Sequence, residues 1–265
     1  MTDEEKILLS FLEEKARTCD ERQMITRGNF IDMHSRSLAA SLRLPEGVKR
    51  IFWGVFPSAE RTVPLFLPDY IDASDENELA EYFAENEDDC PLSVLEITKD
   101  KFSKPLSHRD YLGVLMGLGI NRDVTGDIKV TDDGCYIAVL KSMAEYIAQN
   151  MGKAGRGSLK IKIISPADVP ETGNDAGEEI SFTVSSVRLD SVVKNGFGIS
   201  RESACEAIEH GLVFINDIEC FKPDKRVTEG DKITLRHKGR MIISDCSSKS
   251  KKGRIIVKAF AGLSK

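Results

Sequence analysis

The chain has 265 residues, 41% of them apolar and 30% charged, with 9 Pro. That composition is globular, and the length suffices for about two domains at ~150 residues each. The formal charge of −6 hides an asymmetry: 22 of the 43 acidic residues lie in 1–100, whereas 222–265 hold 13 of the 37 Lys/Arg beside 4 acids, as in a polyanion-binding segment or a solubilising tail.

The longest uncharged apolar run, 111–120, is about half of a bilayer span. The N-terminus Met1-Thr2-Asp3-Glu4-Glu5 is acidic where a secretory signal is basic. A cytoplasmic protein is therefore expected, without a membrane partner.

Ile7, Leu8, Phe11 and Leu12 fall on one helical stripe, as do Leu38, Ala39 and Leu42. Segments 51–56 and 63–67, rich in aromatic and aliphatic residues, read as a hairpin. Together they predict an N-terminal helical and β-hairpin subdomain over 1–75. Between 69 and 90 stand ten Asp/Glu and no Lys/Arg. Helical spacing from Glu76 to Phe83 makes that stretch a solvated helix edge. An acidic module repels polyanions, so this one is expected to face protein or solvent.

The middle segment, 76–165, reads strand 93–98, helix 107–118 capped by Ser107, hairpin 127–131 and 135–139 about Asp132-Asp133-Gly134, helix 141–150 and strand 158–164. This β-α-β-β-α-β order is the ferredoxin-like plan, the RRM-like α/β plait of an α+β protein. The aromatic signature of RNA-binding plaits is absent, so any RNA contact here would not stack bases on two sheet aromatics. Pro166, Pro170, Gly173 and Gly177, with five acids and no cation in 165–179, mark a linker at 166–180. A C-terminal domain with a basic tail follows over 181–265.

Several catalytic and cofactor readings fail on spacing. His108-Arg109-Asp110 resembles a kinase catalytic loop, but Leu115 stands where that loop needs Asn. Gly117, Gly119, Gly152, Gly155 and Gly157 end in no Gly-Lys-Ser/Thr, and no dinucleotide fingerprint opens a helix. The closest cysteines, Cys205 and Cys220, are 15 positions apart, and His34, His108, His210 and His237 are dispersed. No catalytic residue, metal, cofactor or small-molecule substrate is expected.

The most specific signal begins at Ser185. Arg188-Leu189-Asp190 opens a helix whose stripe is Val192, Val193 and Phe197. Ser200 caps a second, Arg201 to His210, ended by Gly211. A hairpin about Asn216-Asp217 and a turn-plus-strand at 227–233 follow. The run resembles the S4 RNA-binding domain, or αL motif, nearly position by position. Asp217 departs from it, standing where the family usually has Gly and where a left-handed conformation strains it. Arg188 and Arg201 stand at the two helix starts, where free backbone N–H groups and guanidinium forks could both reach phosphates. Lys222, Lys225 and Arg226 extend that surface. Arg188-Leu189-Asp190 also resembles the catalytic Gly-Arg-Leu-Asp of pseudouridine synthases, but Val187 replaces the Gly, so Asp190 reads as a structural first-turn acid.

A wider resemblance covers nearly the whole chain. Ser107 to Arg122, Gly126-Asp127-Ile128, Ala59-Glu60-Arg61, Pro68-Asp69-Tyr70 and Ser250-Lys251-Lys252-Gly253-Arg254 are similar to the signatures of the YlmH family of bacterial S4-domain RNA-binding proteins. The resemblance implies a non-enzymatic factor in rescue and quality control of stalled translation, with large ribosomal subunits carrying peptidyl-tRNA as partner. The expected RNA contacts are Arg188, Ser200, Arg201, Lys222, Lys225, Arg226, Arg240, Lys251, Lys252 and Arg254, touching rRNA and tRNA mostly by phosphate and shape. His108, Arg109 and Arg122 form a second candidate set, against the alternative that the Gly-rich helix at 112–120 serves close packing. An RNA-modifying enzyme and a cell-division adaptor are the competing functions.

Overall fold

The structure is a computed structural model that describes residues 1–57, 59–100, 105–154, 157–170, 178–236 and 238–263. His237, Gly155 and residues 171–177 of the expected linker lie outside that set. The chain divides into two compact units, Met1–Glu171 and Thr172–Lys265.

The first unit opens with α1 (Asp3–Arg22), started by a capping box in which Thr2 Oγ1 accepts from Glu5 N at 3.2 Å and Thr2 N donates to Glu5 Oε2 at 2.6 Å. Its inner stripe is Leu12, Ala16 and Cys19, with Leu8 and Phe11 packed beside it. Ile7, expected on that stripe, sits one residue round the helix from Leu8 and is 70% exposed. After β1 (Thr26–Arg27) comes α2 (Met33–Ala40), capped by Asp32. Then β2 (Val48–Trp53) and β3 (Val63–Pro68) form the antiparallel hairpin, and the sheet order is β1-β3-β2. α3 (Glu76–Glu85) is the acidic helix, with its acids outward and Leu79 and Phe83 buried.

The same unit continues with β4 (Leu92–Lys99), α4 (His108–Gly117), β5 (Thr125–Val130), β6 (Gly134–Leu140), α5 (Lys141–Asn150), β7 (Lys153–Ala154) and β8 (Gly157–Ile164). All pairings are antiparallel, in the order β5-β6-β4-β8-β7. Apart from the two-residue β7, this is the split βαβ plan. Gly134 is needed at the hairpin because a Cβ there would overlap the Ile97 carbonyl of the paired strand.

The middle sheet is buried on both faces. One face, through Leu95, Ile97, Ile137 and Val139, packs on Tyr111 and Leu115 of α4 and on Ala144 and Ile147 of α5. The other, through Leu92, Val94, Ala138, Leu140 and Ile164, packs on Trp53, Leu65 and Leu67 of the N-terminal sheet and on Leu79 and Phe83. In an RNA-binding plait that second face carries the bases. Here it is largely core.

The N-terminal elements are fastened to the middle sheet by polar bonds as well. Arg61 donates from Nη2 to the carbonyls of Arg122 (2.6 Å) and Phe30 (3.2 Å) and from Nε to that of Thr125 (3.2 Å). Asp127 accepts from the amides of Glu60 (2.7 Å) and Arg61 (3.2 Å). Burial pushes the Asp127 carboxyl up and the Arg61 guanidinium down from their ordinary values. Residues 166–168, read from sequence as linker, form a 3₁₀ turn against α3.

The second unit holds β9 (Glu178–Val184), α6 (Leu189–Gly196), α7 (Arg201–Glu209), β10 (Val213–Ile215), β11 (Ile218–Glu219), β12 (Lys232–Leu235), β13 (Gly239–Asp245) and β14 (Ile255–Leu263). Its sheet order is β11-β10-β12-β13-β14-β9, antiparallel throughout. Leu189, Val192 and Val193 of α6 and Ala204 and Ile208 of α7 close the core over Ile233, Met241, Ile243, Val257 and Ala259. Two features differ from the sequence reading. Residues 178–180, placed in the linker for their acids, begin β9, whose Ile180, Phe182 and Val184 alternate toward the core. The basic tail is no tail: β14 pairs with both β13 and β9, and Lys251, Lys252 and Arg254 occupy the β13–β14 connection.

Candidate nucleic-acid interface

Three segments converge at the start of α6. Leu189 N donates to the Lys225 carbonyl and Asp190 N to the Pro223 carbonyl, both at 2.9 Å. Val227 N donates to the Val187 carbonyl at 3.0 Å, and Arg188 and Arg226 face each other in an antiparallel bridge. Lys222, Lys225 and Arg226, all exposed, are thereby held beside Arg188. The expected free amides at this helix start are not free. The 223–225 carbonyls take the first two and Asp190 Oδ1 takes the Ser191 amide at 2.9 Å. Any anion bound here would meet side chains rather than helix N–H groups.

Arg201 joins the same cluster from α7. Asp190 is 1% exposed and receives both arginines. Arg188 Nε lies 3.2 Å from Oδ1 and Nη2 3.5 Å from Oδ2, while Arg201 Nε and Nη2 lie 3.3 and 3.0 Å from Oδ2. The arginines themselves remain 42% and 68% exposed. Ser200 caps α7, its Oγ accepting from Ser203 N at 3.0 Å. Its hydroxyl oxygen is engaged in folding. The acid that the sequence offered only as a helix-start residue is therefore the hub of the cluster, and only its place within Arg-Leu-Asp hinted at that.

The other expected contacts lie elsewhere. Half-buried Arg240 sits near the start of β13, flanked by Thr234 and Gly262. Lys251, Lys252 and Arg254 ride on a tight turn closed by Ser250 N to the Arg254 carbonyl (2.7 Å) and Gly253 N to the Ser250 carbonyl (2.9 Å). Arg254 Nη2 reaches the Thr183 carbonyl at 3.1 Å.

In the first unit, His108 and Arg109 open α4, and Arg122, in the turn after that helix, acts on His108 electrostatically. Desolvation and the neighbouring Arg122 charge hold the His108 imidazole below its usual value, with Glu60 opposing. Asp110 is committed to its own helix, accepting from Ser107 N and Oγ at 2.7 Å each, which lowers its carboxyl. Close packing does not explain the glycines that follow. Among the described residues, a Cβ at Gly113, Gly117 or Gly119 would meet nothing within 4 Å.

Comparison with known proteins matches these two regions. Residues 187–233 fit the S4 domain, and residues 85–168 fit the family described as "Putative RNA-binding domain in YlmH". Ribosome-associated protein quality control protein P2 of Bacillus subtilis is 28% identical over 253 residues, 95% of this chain and 93% of that protein. The chain thus carries a YlmH-type domain followed by an S4 domain, and it is similar to that Bacillus subtilis protein along nearly its whole length. The S4 part of this chain is also 42% identical to small ribosomal subunit protein uS4 of Solibacter usitatus over 50 residues, 18% of this chain and 24% of that one. A solved structure, the cell division protein ylmH from Streptococcus pneumoniae, is 23% identical, with a TM-score of 0.46, covering 62% of this chain and 92% of that one. The chain is thus an RNA-binding S4-domain protein related to a ribosome-associated quality control protein. Among the described residues, no helix is long and apolar enough to cross a membrane.

Proposed function

We propose that this chain is a member of the YlmH family and a non-enzymatic cytoplasmic factor that docks through its S4 unit on structured rRNA or tRNA. Its site would be the large ribosomal subunit carrying peptidyl-tRNA, in the rescue of stalled translation. The observation that carries the reading is the convergence of Arg188, Arg201, Lys222, Lys225 and Arg226 at the start of α6. Guanidinium forks and ammonium groups on a rigid frame suit phosphate neutralisation and shape readout. The ribosomal setting is supported by the name of the Bacillus subtilis relative, aligned along 95% of the chain. Lys251, Lys252, Arg254 and Arg240 extend the proposed surface. His108 and Arg109 of α4, with Arg122 of the turn that follows, make a second contact, since most of the plait's opposite face is buried.

Sucrose-gradient sedimentation of lysates tests the reading, comparing wild type with Arg188→Ala/Arg201→Ala. Wild type should comigrate with the large subunit and the variant should stay at the top. With ~4 phosphates neutralised, log K should fall against log salt with a slope of roughly −3 to −4. Wild type remaining at the top at low salt would remove the ribosomal reading and favour a protein-interaction adaptor.

A further inference from the structure

We infer that Asp190 is a positioning residue, which sets two guanidinium forks in one orientation so that together they cradle a single backbone phosphate of the RNA. The inference rests on the S4 unit being the docking surface and names how that surface grips its ligand. Asp190 is 1% exposed, and its two oxygens receive Nε and Nη2 of both Arg188 and Arg201 at 3.0–3.5 Å. A guanidinium carries five N–H donors. Among the described residues Nη1 of each arginine has no protein partner, and the two side chains keep 42% and 68% exposure.

The carboxylate itself is fixed from behind. Ser191 N donates to Oδ1, and Asp190 N is tied to the Pro223 carbonyl. The arginines come from the starts of different helices, Arg201 eleven residues beyond Asp190 as the first residue of α7 and Arg188 two before it as the N-cap of α6. Two exposed arginines on separate elements would otherwise sample many rotamers, and ordering each on binding opposes affinity. Anchoring both on one buried anion removes most of that ordering before RNA arrives. The charge balance also fits. Two guanidiniums over one carboxylate leave a net +1, the complement of one phosphodiester. The fork geometry suits two oxygens of the same phosphate.

Electrostatics and positioning predict opposite signs for Asp190→Asn. If the carboxylate were merely a negative charge beside the RNA, removing it would tighten binding. If it positions the forks, Asn, which offers one carbonyl acceptor and an NH2 that repels guanidinium, weakens binding despite the added positive charge. The full-length chain is titrated against purified large ribosomal subunits, and against heparin as a polyanion without a fixed phosphate arrangement.

The expected result is about a tenfold weaker Kd for subunits, with heparin binding unchanged or tighter. Tighter binding of the Asp190→Asn variant to both probes would overturn the inference. Should that variant fail to fold, Arg188→Lys and Arg201→Lys decide, since they keep charge on exposed side chains but lose the fork. A tenfold loss in both supports the cradle, and wild-type affinity in both overturns it. Arg188→Ala/Arg201→Ala is the separate control. If it binds subunits like wild type, the docking surface itself is wrong. If it alone loses binding, only the cradle fails.

Discussion

At the residue scale, the sharpest question is posed by a glycine that nothing among the described residues requires. Gly113 lies inside α4, is exposed, and among the described residues a Cβ there would meet nothing within 4 Å beyond its own helix backbone. A glycine in a helix interior costs about 0.5–1 kcal/mol relative to alanine. Gly113→Ala should therefore raise the stability of the protein by about that amount, read as a higher urea midpoint at unchanged m-value. A lower midpoint would mean that the position is closely packed after all. Arg109 lies four residues before Gly113, on the same side of α4. If that side meets RNA, the same methyl group also weakens binding, and a variant at once more stable and less adherent has no explanation within the fold.

At the element scale, local signals located most segments but not what the segments do to one another. The turn at 216–217 shows both sides. Asn216 and Asp217 adopt φ of 51° and 64°, the paired left-handed values of a tight hairpin, as the Asn-Asp dipeptide indicates. What the dipeptide could not indicate is the ion pair of Asp217 with Lys232 at 2.6 Å, sixteen residues from Asn216. Left-handed strain at a non-glycine amounts to about 1–2 kcal/mol, and a half-buried ion pair is of similar size. Asp217→Gly should thus stay within about 1 kcal/mol of wild type, exchanging one for the other. Asp217→Ala keeps the strain and loses the pair, so it should be the less stable of the two in thermal melts. Equal melting temperatures would show that the pair contributes nothing. The same distinction explains the candidate site. Arg188, Arg201 and the 222–226 cations were legible because the S4 pattern is contiguous in sequence. Asp190 as their hub, the occupied amides of α6 and the Arg61 latch were not, because they depend on how separate elements meet: Arg201 reaches Asp190 across 11 residues, and Arg61 reaches its carbonyl partners across 31 to 64. The linker was overdrawn for a related reason: acids and prolines at 166–180 mask the period-2 alternation that starts β9.

At the scale of the whole molecule, the cores decide where the chain can be cut. All buried members of the second unit's core lie between Val184 and Ala261, and none belongs to the first unit. Residues 172–265 should therefore fold alone. They should retain RNA binding dependent on Arg188 and Arg201, with the salt slope of the full chain reduced only by whatever His108, Arg109 and Arg122 add. The first unit offers no such cut between its N-terminal elements and its plait. Removing residues 1–90 would uncover Leu92, Val94, Leu140 and Ile164, each fully or nearly buried. At about 1.5–3 kcal/mol per large apolar side chain, that is on the order of 6–12 kcal/mol, comparable with the whole stability of a domain. Such a deletion should yield an aggregating or molten first unit, seen as loss of near-ultraviolet circular dichroism and binding of a hydrophobic dye. Its effect on ribosome association would report misfolding rather than a missing contact. A clean, cooperative melt of the 91–265 fragment would refute the shared core and make the acidic N-terminal elements separable. Where the melt is lost, the role of those elements is first to close the face of the plait that RNA-binding relatives of this fold leave open. The RNA contact proposed for the first unit is then confined to α4 and its flanking cations.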